Sequence, residues 1–213
     1  MADGKLITFE GPDGSGKTTQ VTGLTEWLRG RGYRVLTGRE PGGTAIGDQV
    51  REVVHSLKNT GMDSRTEFLL YASSRAQLVA EIVRPALADG QIVLLDRFID
   101  STLAYQGYGR GLDLATLRLI TNFATGGLIP ELTIYLDVDA ETALARRKAS
   151  AERGAEWNRM DAQALEFYER VRAGYEQLIG AEPGRFVRVN AGRGAQDVRA
   201  DVRAAVARVG LQY

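Results

Sequence analysis

The sequence contains no cysteine and only one histidine, His55. The lack of cysteine excludes a disulfide-stabilised scaffold and any metal site built on thiolates, and it agrees with a reducing compartment. A single histidine also excludes a cluster of several histidines around a metal ion.

The sequence also lacks a long hydrophobic run and an excess of charge of either sign. No apolar stretch approaches the ~20 residues needed to cross a bilayer. The opening MADGKLITFEG leads straight into a strand pattern, without the basic and then apolar organisation of a secretory signal. The 27 basic and 27 acidic side chains cancel, so no broad field can hold nucleic acid or an anionic membrane. We therefore expect a cytoplasmic protein that binds neither, and that recognises any polyanion at a local site.

The residues that are present form an ordinary globular composition. Hydrophobic residues make up 44% and charged residues 25% of the 213 residues, which leaves no room for a long disordered tail. A chain of this length is served by one hydrophobic core, and no linker divides it. We expect a single α/β domain over residues 1–213.

Short apolar runs alternate with stretches of helical periodicity, which predicts a parallel sheet with helices on both faces. The longest predicted helix covers about residues 64–87. The third and fourth apolar runs, IVLLD and LTIYLDV, each deliver an aspartate at the carboxyl end of a buried strand, where active-site residues are expected to gather. The predicted strands are Lys5–Phe9, Arg34–Thr37, Ile92–Leu95, Leu132–Leu136 and Phe186–Val189.

A segment of different character lies at about residues 146–161. Its sequence after Ala145, RRKASAERGAEWNRMD, is rich in charged and small residues and poor in large aliphatic ones. Because little of it can be fixed by burial in a core, we expect a short mobile lid.

The clearest motif is GPDGSGKT, at residues 11–18, which matches G-x-x-x-x-G-K-[ST] between a predicted strand and a predicted helix. Its glycines let backbone N–H groups approach phosphate oxygens closely. In such a loop Lys17 reaches the β- and γ-phosphates and Thr18 offers its hydroxyl to Mg²⁺, while the helix dipole adds positive potential. A chance glycine turn is the alternative. The predicted nucleoside triphosphate site comprises Gly11, Pro12, Asp13, Gly14, Ser15, Gly16, Lys17, Thr18 and Thr19.

A second candidate site is Asp96-Arg97-Phe98, at the end of the third predicted strand. A strand-end aspartate can hold Mg²⁺ or its water, and the guanidinium of Arg97 can grip a further phosphate group in a bidentate manner. A surface ion pair is the alternative. Two anions in one crevice imply a phosphoryl donor and an acceptor. No asparagine is followed by lysine, so the guanine-reading Asn-Lys-x-Asp element of GTPases is missing.

The combined motifs closely resemble those of bacterial thymidylate kinases, in order and spacing, over essentially the whole chain. They are FEGPDGSGKTTQ, REPGGT at residues 39–44, DRFIDSTLAYQGYGRG from Asp96, and ERGAEWNRMD before an aromatic-rich helix. The resemblance implies a P-loop nucleoside monophosphate kinase fold with a five-stranded parallel sheet, in a homodimer. It implies transfer of the γ-phosphoryl group of ATP, with Mg²⁺, to dTMP for dTTP biosynthesis. A kinase for another deoxynucleotide or a nucleoside, and a P-loop regulatory switch, remain alternatives.

By the same resemblance, Arg75 donates to a thymine carbonyl and Tyr105 closes against C2′ of the sugar. Tyr71 stands where the family usually has a phenylalanine stacked on the base, so its hydroxyl needs a partner or water. Ordinary core or turn roles remain alternatives for these side chains. The implied dTMP-binding set is Asp13, Arg39, Tyr71, Arg75, Arg97, Ser101, Tyr105 and Gln106.

The resemblance also assigns the phosphate and metal contacts. Arg97 matches the clamp on the acceptor phosphate, with Arg39 and Arg51 as weaker candidates. Asp13 matches the acid that contacts the 3′-hydroxyl of the acceptor and helps to organise the metal site. Thr18 and Asp96 are the expected metal ligands.

The lid is expected to supply the catalytic arginine. In the family this charge comes from the P-loop or from the lid, and positions 12, 13 and 15 are here Pro, Asp and Ser. Arg153 is the first choice, followed by Arg146 and Arg147, and the expected catalytic set is Lys17, Arg97, Arg153 and Asp13. Asn158-Arg159-Met160-Asp161 replaces the usual Asp-Arg-Phe-Glu, which leaves a role for Asp161 in the metal site or in lid anchoring open.

Overall fold

A computed structural model describes residues 4–211. These residues contain a five-stranded parallel sheet in the order β2-β3-β1-β4-β5. The strands are β1 (Lys5–Glu10), β2 (Val35–Arg39), β3 (Ile92–Asp96), β4 (Leu132–Asp137) and β5 (Phe186–Asn190). The predicted strands are confirmed, and each begins or ends within two residues of its prediction.

The helices lie between these strands and after the last one. They are α1 (Lys17–Arg29), α2 (Ala45–His55), α3 (Ser64–Leu78), α4 (Arg84–Ala88), α5 (Ile99–Thr102), α6 (Leu114–Thr125), α7 (Ala140–Glu152), α8 (Leu165–Ala181) and α9 (Ala195–Ala205). No helix within residues 4–211 is both long enough and apolar enough to cross a membrane.

Strand β3, which lies between β2 and β1, shows why helices cover both faces of the sheet. Its side chains alternate between two cores, as the pleat of a strand requires. Ile92 and Leu94 join the core beneath α1 and α9, whereas Val93 and Leu95 join the core beneath α3 and α4. All four are buried, so the continuous apolar run that predicted a doubly covered strand is explained.

The long predicted helix continues almost without a break. A π-helical stretch, Val79–Val83, joins α3 to α4. Pro85 follows this stretch at the start of α4 and supplies no backbone N–H to the continuing helix. A second π-helical stretch, Leu103–Gly109, follows α5 and carries Tyr105 and Gln106 into the cleft described below.

The expectation that the lid segment has little burial is wrong for its last part. Residues 146–152 belong to α7, and residues 153–156 are exposed. Asn158, Arg159, Met160 and Asp161 are buried. Polar contacts fix this turn in place of aliphatic packing: Arg159 Nε donates to the carbonyl of Val54 at 2.9 Å, and Arg147 pairs with Asp161.

Candidate active site

A cleft of about 660 Å³ opens at the carboxyl ends of β1, β2 and β3, as expected for an open parallel sheet. It is lined by most residues of both predicted sites, from the P-loop, the strand ends, α3, the π-helical stretch after α5 and the lid. The predicted residues on its wall are Asp13, Gly14, Gly16, Lys17, Thr18, Thr19, Arg39, Arg51, Tyr71, Arg75, Asp96, Arg97, Ser101, Tyr105, Gln106, Arg146, Arg147 and Arg153. Gly11, Pro12, Ser15 and Asp161 lie outside this wall.

The P-loop has the backbone that its glycines predict. Gly14 has φ of 89°, and a Cβ there would lie 2.2 Å from the carbonyl oxygen of Ala143, so only glycine fits. Helix α1 begins at Lys17 with no side-chain cap and no acidic residue in its first turn. Its first N–H groups and the positive end of its dipole are therefore available to an anion.

Lys17 lies over this loop. Its Nζ donates to the carbonyls of Gly11 and Pro12 at 3.1 and 3.0 Å, and lies 3.9 Å from Asp13 Oδ1. Burial and the nearby charge of Arg97 lower the pKa of Lys17. A bound phosphate would take the place of these carbonyls as the hydrogen-bond partner of the buried Lys17 ammonium group.

Thr18 and Asp96 meet at the base of the cleft. Asp96 ends β3 opposite Phe9 of β1, and Thr18 Oγ1 donates to Asp96 Oδ2 at 2.9 Å. Within residues 4–211 no group of three or more His, Cys, Asp or Glu side chains is placed to hold a metal ion. Any cation here would depend on these two oxygens together with ligands from a substrate or water.

Arg97 connects the P-loop to the opposite wall. Its Nη2 donates to Asp13 Oδ1 at 3.1 Å and to the hydroxyl of Tyr105 at 3.0 Å, and its Nη1 donates to Ser101 Oγ at 3.0 Å. Arg97 is the one non-glycine residue with positive φ, 71°, within residues 4–211, a strained backbone of the kind found at functional sites. Burial alone would raise the pKa of Asp13, but the charges of Arg97 and Lys17 outweigh it and hold that pKa well below its usual range.

Glu10 holds the strained loop, and sequence reasoning missed it. Its carboxylate accepts from the backbone N–H of Phe98 at 2.8 Å and from the hydroxyls of Ser101 and Tyr175 at 2.5 and 2.7 Å. Burial and the charge of Asp100 raise the pKa of Glu10. The signal in the sequence is an acidic residue at the end of an apolar strand. Glu10 is fully buried there, and a buried carboxylate needs hydrogen-bond donors around it.

Arg75 forms the far end of the cleft and is only 2% exposed. Its Nε donates to Glu40 Oε2 at 2.7 Å, its Nη1 to Thr102 Oγ1 at 2.9 Å and its Nη2 to the carbonyl of Phe98 at 3.1 Å. Burial raises the pKa of Glu40 to about 7 in spite of Arg75. Glu40 was not among the predicted residues, although it lies within the REPGGT motif.

Tyr71 and His55 lie near the same end. Both line the cleft, and burial raises the pKa of the Tyr71 phenol. Burial and the charge of Arg51 lower the pKa of His55 to about 3, so its imidazole is neutral near pH 7. His55 Nδ1 is buried and has no hydrogen-bond partner among residues 4–211. Nothing in the sequence around this lone histidine indicated a place in the cleft.

The remaining predicted residues differ in how firmly they are held. The ring of Tyr105 lies 4.8 Å from the guanidinium carbon of Arg97, and Gln106 Nε2 donates to Glu67 Oε1 at 2.8 Å. Arg51 Nη1 donates to the carbonyl of Pro41 at 3.1 Å. Arg39, which ends β2, also reaches the cleft.

The three lid arginines have different surroundings. Arg146 Nη1 donates to the carbonyl of Ala191 at 2.9 Å. Arg147 pairs in a bidentate manner with Asp161, both contacts being 2.6 Å, and also donates to the carbonyl of Glu156. The backbone N–H of Arg153 donates to the carbonyl of Ser150 at 3.1 Å, but its exposed side chain, which lines the cleft, makes no hydrogen bond or ion pair with the other described residues.

Comparison with known proteins gives a consistent result. The sequence model of one family, thymidylate kinase, matches residues 9–202. A thymidylate kinase from Roseiflexus sp. (strain RS-1) is 52% identical over 189 residues, which cover 85% of this chain and 84% of the relative. A thymidylate kinase from Chlorobium luteolum is 49% identical over 204 residues, which cover 92% of this chain and 93% of the relative.

A solved structure shares the fold. The crystal structure of thymidylate kinase from Ehrlichia chaffeensis matches with a TM-score of 0.79 and 32% sequence identity. The match covers 96% of this chain and 99% of the other. The arrangement of sheet, P-loop and cleft described above is therefore that of an α/β nucleoside monophosphate kinase.

Proposed function

Because this chain belongs to the thymidylate kinase family, we propose that the cleft is where it binds its two substrates side by side. The enzyme phosphorylates dTMP to dTDP and uses ATP as the phosphoryl donor. The proposal concerns how the residues of this chain do so. We propose a single kinase domain whose lid covers about residues 146–161.

The bridge made by Arg97 is the observation that carries the proposal. Its guanidinium lies between Asp13 of the P-loop on one side and Ser101 and Tyr105 on the other. In this position Arg97 can clamp the phosphate of dTMP next to the γ-phosphate of ATP, since a guanidinium binds phosphate in a bidentate manner. Arg39 and Arg51 would add positive charge on the same side of the cleft.

We propose that the donor phosphates lie along the P-loop. Pro12 has no backbone N–H, and that of Ser15 donates to the Pro12 carbonyl at 3.1 Å. The other N–H groups of the loop and of the start of α1 would face the phosphates together with Nζ of Lys17, which stabilises the charge that develops on the transferred group. Asp13 accepts from Arg97 at 3.1 Å, so it also fixes the clamp. The same carboxylate is the candidate partner of the 3′-hydroxyl of the acceptor.

The oxygens of Thr18 and Asp96 fit a magnesium site. They are hard ligands 2.9 Å apart, and Mg²⁺ is usually held by one or two protein oxygens together with substrate phosphates and water. When bound there, Mg²⁺ would neutralise charge on the phosphates. Asp161 is not a candidate ligand, because it is paired with Arg147 at 2.6 Å and lies off the cleft wall.

The far end of the cleft suits a pyrimidine base. Arg75 is fixed by Glu40, Thr102 and Phe98, and its unused N–H groups can donate to a thymine carbonyl. The ring of Tyr71 can stack on the base. Tyr105 and Gln106 form the wall on which the sugar and the base edge would rest.

We propose that Arg153 supplies the catalytic charge from the lid. The side chains of Arg146 and Arg147 are bonded to Ala191 and Asp161, whereas the side chain of Arg153 has no partner among the described residues. Gly154 follows with φ of 94°, so the chain can bend at this point. A free arginine at the edge of the cleft can reach the transferred phosphoryl group.

We also propose that the enzyme is a homodimer. Leu119 and Phe123 of α6 are 71% and 87% exposed, and their spacing places them on one helical face. Leu69, on the neighbouring helix α3, is 52% exposed. An apolar surface of this kind on adjacent helices favours association.

Sedimentation tests the homodimer. It should show a dimer for the parent protein and for the control Arg193→Ala, and a monomer for the double variant Leu119→Glu/Phe123→Glu. A monomeric parent protein would refute the homodimer. A cytoplasmic location stays a prediction.

One assay tests the function as a whole. The purified protein is supplied with ATP, Mg²⁺ and each deoxynucleoside or ribonucleoside monophosphate in turn, and ADP release is followed. dTMP should give the highest kcat/KM. Release with dTMP no faster than with buffer, or faster release with another monophosphate, would refute the assignment of the acceptor.

A further inference from the structure

Glu67 lies behind the cleft wall, joins three separate segments of the chain and has no role in the account above. It lies in the first turn of α3 and is 1% exposed. Gln106 Nε2 donates to its Oε1 at 2.8 Å. Arg110 donates to both of its oxygens, at 3.2 and 3.0 Å, and Arg159 Nη2 donates to Oε2 at 2.7 Å.

The charge of Glu67 is maintained by these partners. Burial alone would raise the pKa of Glu67, but the hydrogen bonds from Arg110 and Gln106, the charge of Arg110 and the hydrogen bond from Arg159 outweigh it and lower that pKa. Arg159 is 5% exposed. Without this carboxylate, two guanidinium groups would be left close together with no counter-charge, which is costly in a buried position.

The contact with Glu67 fixes the orientation of the Gln106 amide. A carboxylate only accepts hydrogen bonds, so the nitrogen of Gln106 must face Glu67 and its oxygen must point the other way. No side chain or backbone group within residues 4–211 donates to that oxygen, and Gln106 lines the cleft. The network thus determines which polar atom of Gln106 is offered to a substrate.

The same carboxylate fixes the buried last part of the lid, residues 158–161. Arg159 is held by Glu67 and by two carbonyls, since its Nε donates to Val54 at 2.9 Å and its backbone N–H to His55 at 3.1 Å. Two residues later, Asp161 pairs with Arg147 of α7. Glu67 is therefore connected to the lid helix through consecutive buried ion pairs.

We propose that Glu67 is a positioning residue for the acceptor: it orients the Gln106 amide and anchors the buried last part of the lid, and it touches no reacting atom. This inference deepens the proposed acceptor site and rests on Gln106 facing dTMP. An ordinary stabilising ion pair would look different. Asp100 and Arg185 form a pair of that kind, with 0% and 11% of the side chains exposed. Within the described part of the chain, their side chains bond only to each other, Thr133 and Glu182, none of which lines the cleft, whereas Glu67 bonds to Gln106, which does.

The substitution Glu67→Gln distinguishes a positioning role from that of an ordinary stabilising ion pair. A glutamine keeps one acceptor oxygen, which the two cationic partners at the Oε2 position will retain, because charged donors form the stronger bonds. Its amide nitrogen then faces two donors, Gln106 Nε2 and Arg110 Nε. The bond from Arg110 Nε is lost, and Gln106 must turn over and present its own nitrogen to the cleft. We expect the KM for dTMP to rise by about tenfold or more, with the KM for ATP unchanged within about twofold.

Three further variants complete the experiment. Leu28→Ala, in the core beneath α1 and α9, is a control for loss of stability alone and should not separate the two KM values. Glu67→Asp keeps the charge with a shorter reach, should give an intermediate KM for dTMP, and remains informative if Glu67→Gln does not fold. Gln106→Ala removes the amide through which Glu67 acts, so Glu67→Gln should have a much smaller effect in that background.

Several outcomes would overturn the inference: a normal KM for dTMP in folded Glu67→Gln, an equal rise of both KM values, or an undiminished effect in the Gln106→Ala background. A normal KM in Glu67→Asp, where Glu67→Gln does not fold, would also overturn it. If Gln106→Ala alone left the KM for dTMP unchanged, Gln106 would not be part of the acceptor site, and the inference about Glu67 would be wrong as well. If Gln106→Ala raised that KM and Glu67→Gln did not, only the inference would fail.

Discussion

The acceptor end of the cleft and the lid are built in opposite ways. At the acceptor end the polar side chains are buried and cross-linked: Glu67, Arg75 and Gln106 are 1%, 2% and 2% exposed, and each has partners from other segments. In the lid, residues 153–156 are exposed, and the side chain of Arg153 has no hydrogen-bond or ion-pair partner among the described residues.

This difference separates recognition from catalysis. Buried networks hold side chains in one arrangement before substrate arrives, which favours selective binding. An exposed arginine is free to move to a charge that develops only during the reaction. Substitutions at the acceptor end should therefore change selectivity and stability together, whereas substitutions on the donor and lid side should change kcat with the fold intact.

The largest effect is expected from Lys17→Ala on the donor side. Its Nζ makes hydrogen bonds only to two backbone carbonyls within residues 4–211, and its contact with Asp13 is as long as 3.9 Å, so its removal should cost little stability. Turnover should fall by about 10³-fold or more, because charge stabilisation supplies most of the catalysis in phosphoryl transfer. ADP release and thermal unfolding measure the two effects, with exposed Lys58→Ala as control. Near-normal turnover by a folded Lys17→Ala protein would remove the role.

Arg153→Ala tests the lid side of the comparison. We expect kcat to fall by about 10²-fold or more, with ATP binding in the absence of turnover and the melting temperature both unchanged. Arg65→Ala, another exposed arginine that does not line the cleft, should have no effect on kcat. If Arg153→Ala, Arg146→Ala, Arg147→Ala and the triple variant all kept kcat within about twofold, a catalytic lid would have to be abandoned.

Tyr105→Ala tests selectivity at the acceptor end. The ring packs against Arg97 and Phe167, and its bulk is proposed to exclude a 2′-hydroxyl. The preference for dTMP over its ribose analogue, measured as a ratio of kcat/KM, should fall by about tenfold, and the melting temperature should also fall. Tyr105→Phe keeps the ring and should keep the preference. An unchanged preference in Tyr105→Ala would mean that the ring does not select the sugar.

The smallest effect concerns the pH dependence of stability at His55. Burial lowers the pKa of His55 to about 3, so between that pH and the ordinary value near 6.5 the unfolded chain binds a proton that the folded chain does not. The contribution of neutral His55 is thus present above about pH 6.5 and is lost as the pH falls. Urea unfolding at pH 7.5 and pH 5 should show a larger loss for the parent protein than for His55→Gln, by about 1–2 kcal/mol. Equal losses would show that His55 is solvated.

Sequence reasoning was most successful where one physical requirement determines several residues at once. Strands buried on both faces need continuous apolar runs, and the runs IVLLD and LTIYLDV correspond to β3 and β4. A phosphate-binding loop needs glycines at fixed spacing before a helix, and Gly11, Gly14 and Gly16 have positive φ. These features are local in sequence, so periodicity and spacing reveal them.

The parts that sequence reasoning missed depend on partners far apart in the chain. Glu10 is bonded to Tyr175, 165 residues away, and Glu67 to Arg159, 92 residues away. A buried turn at the end of the lid segment was not expected, because Arg159 and Asp161 look like solvated charges until Glu67 and Arg147 are placed beside them. One sequence does not show which acid meets which base across such distances.

The central claim is that Arg97 connects the two ends of the cleft by clamping the acceptor phosphate. The most direct test is calorimetric titration of dTMP and of thymidine, which lacks the phosphate, into the parent protein and folded Arg97→Gln. The account predicts that dTMP binds the parent protein more tightly than thymidine, and that Arg97→Gln weakens dTMP binding by about 10- to 100-fold while thymidine binding is unchanged. Parent-like affinity for dTMP in Arg97→Gln, or equal weakening of both ligands, would contradict it.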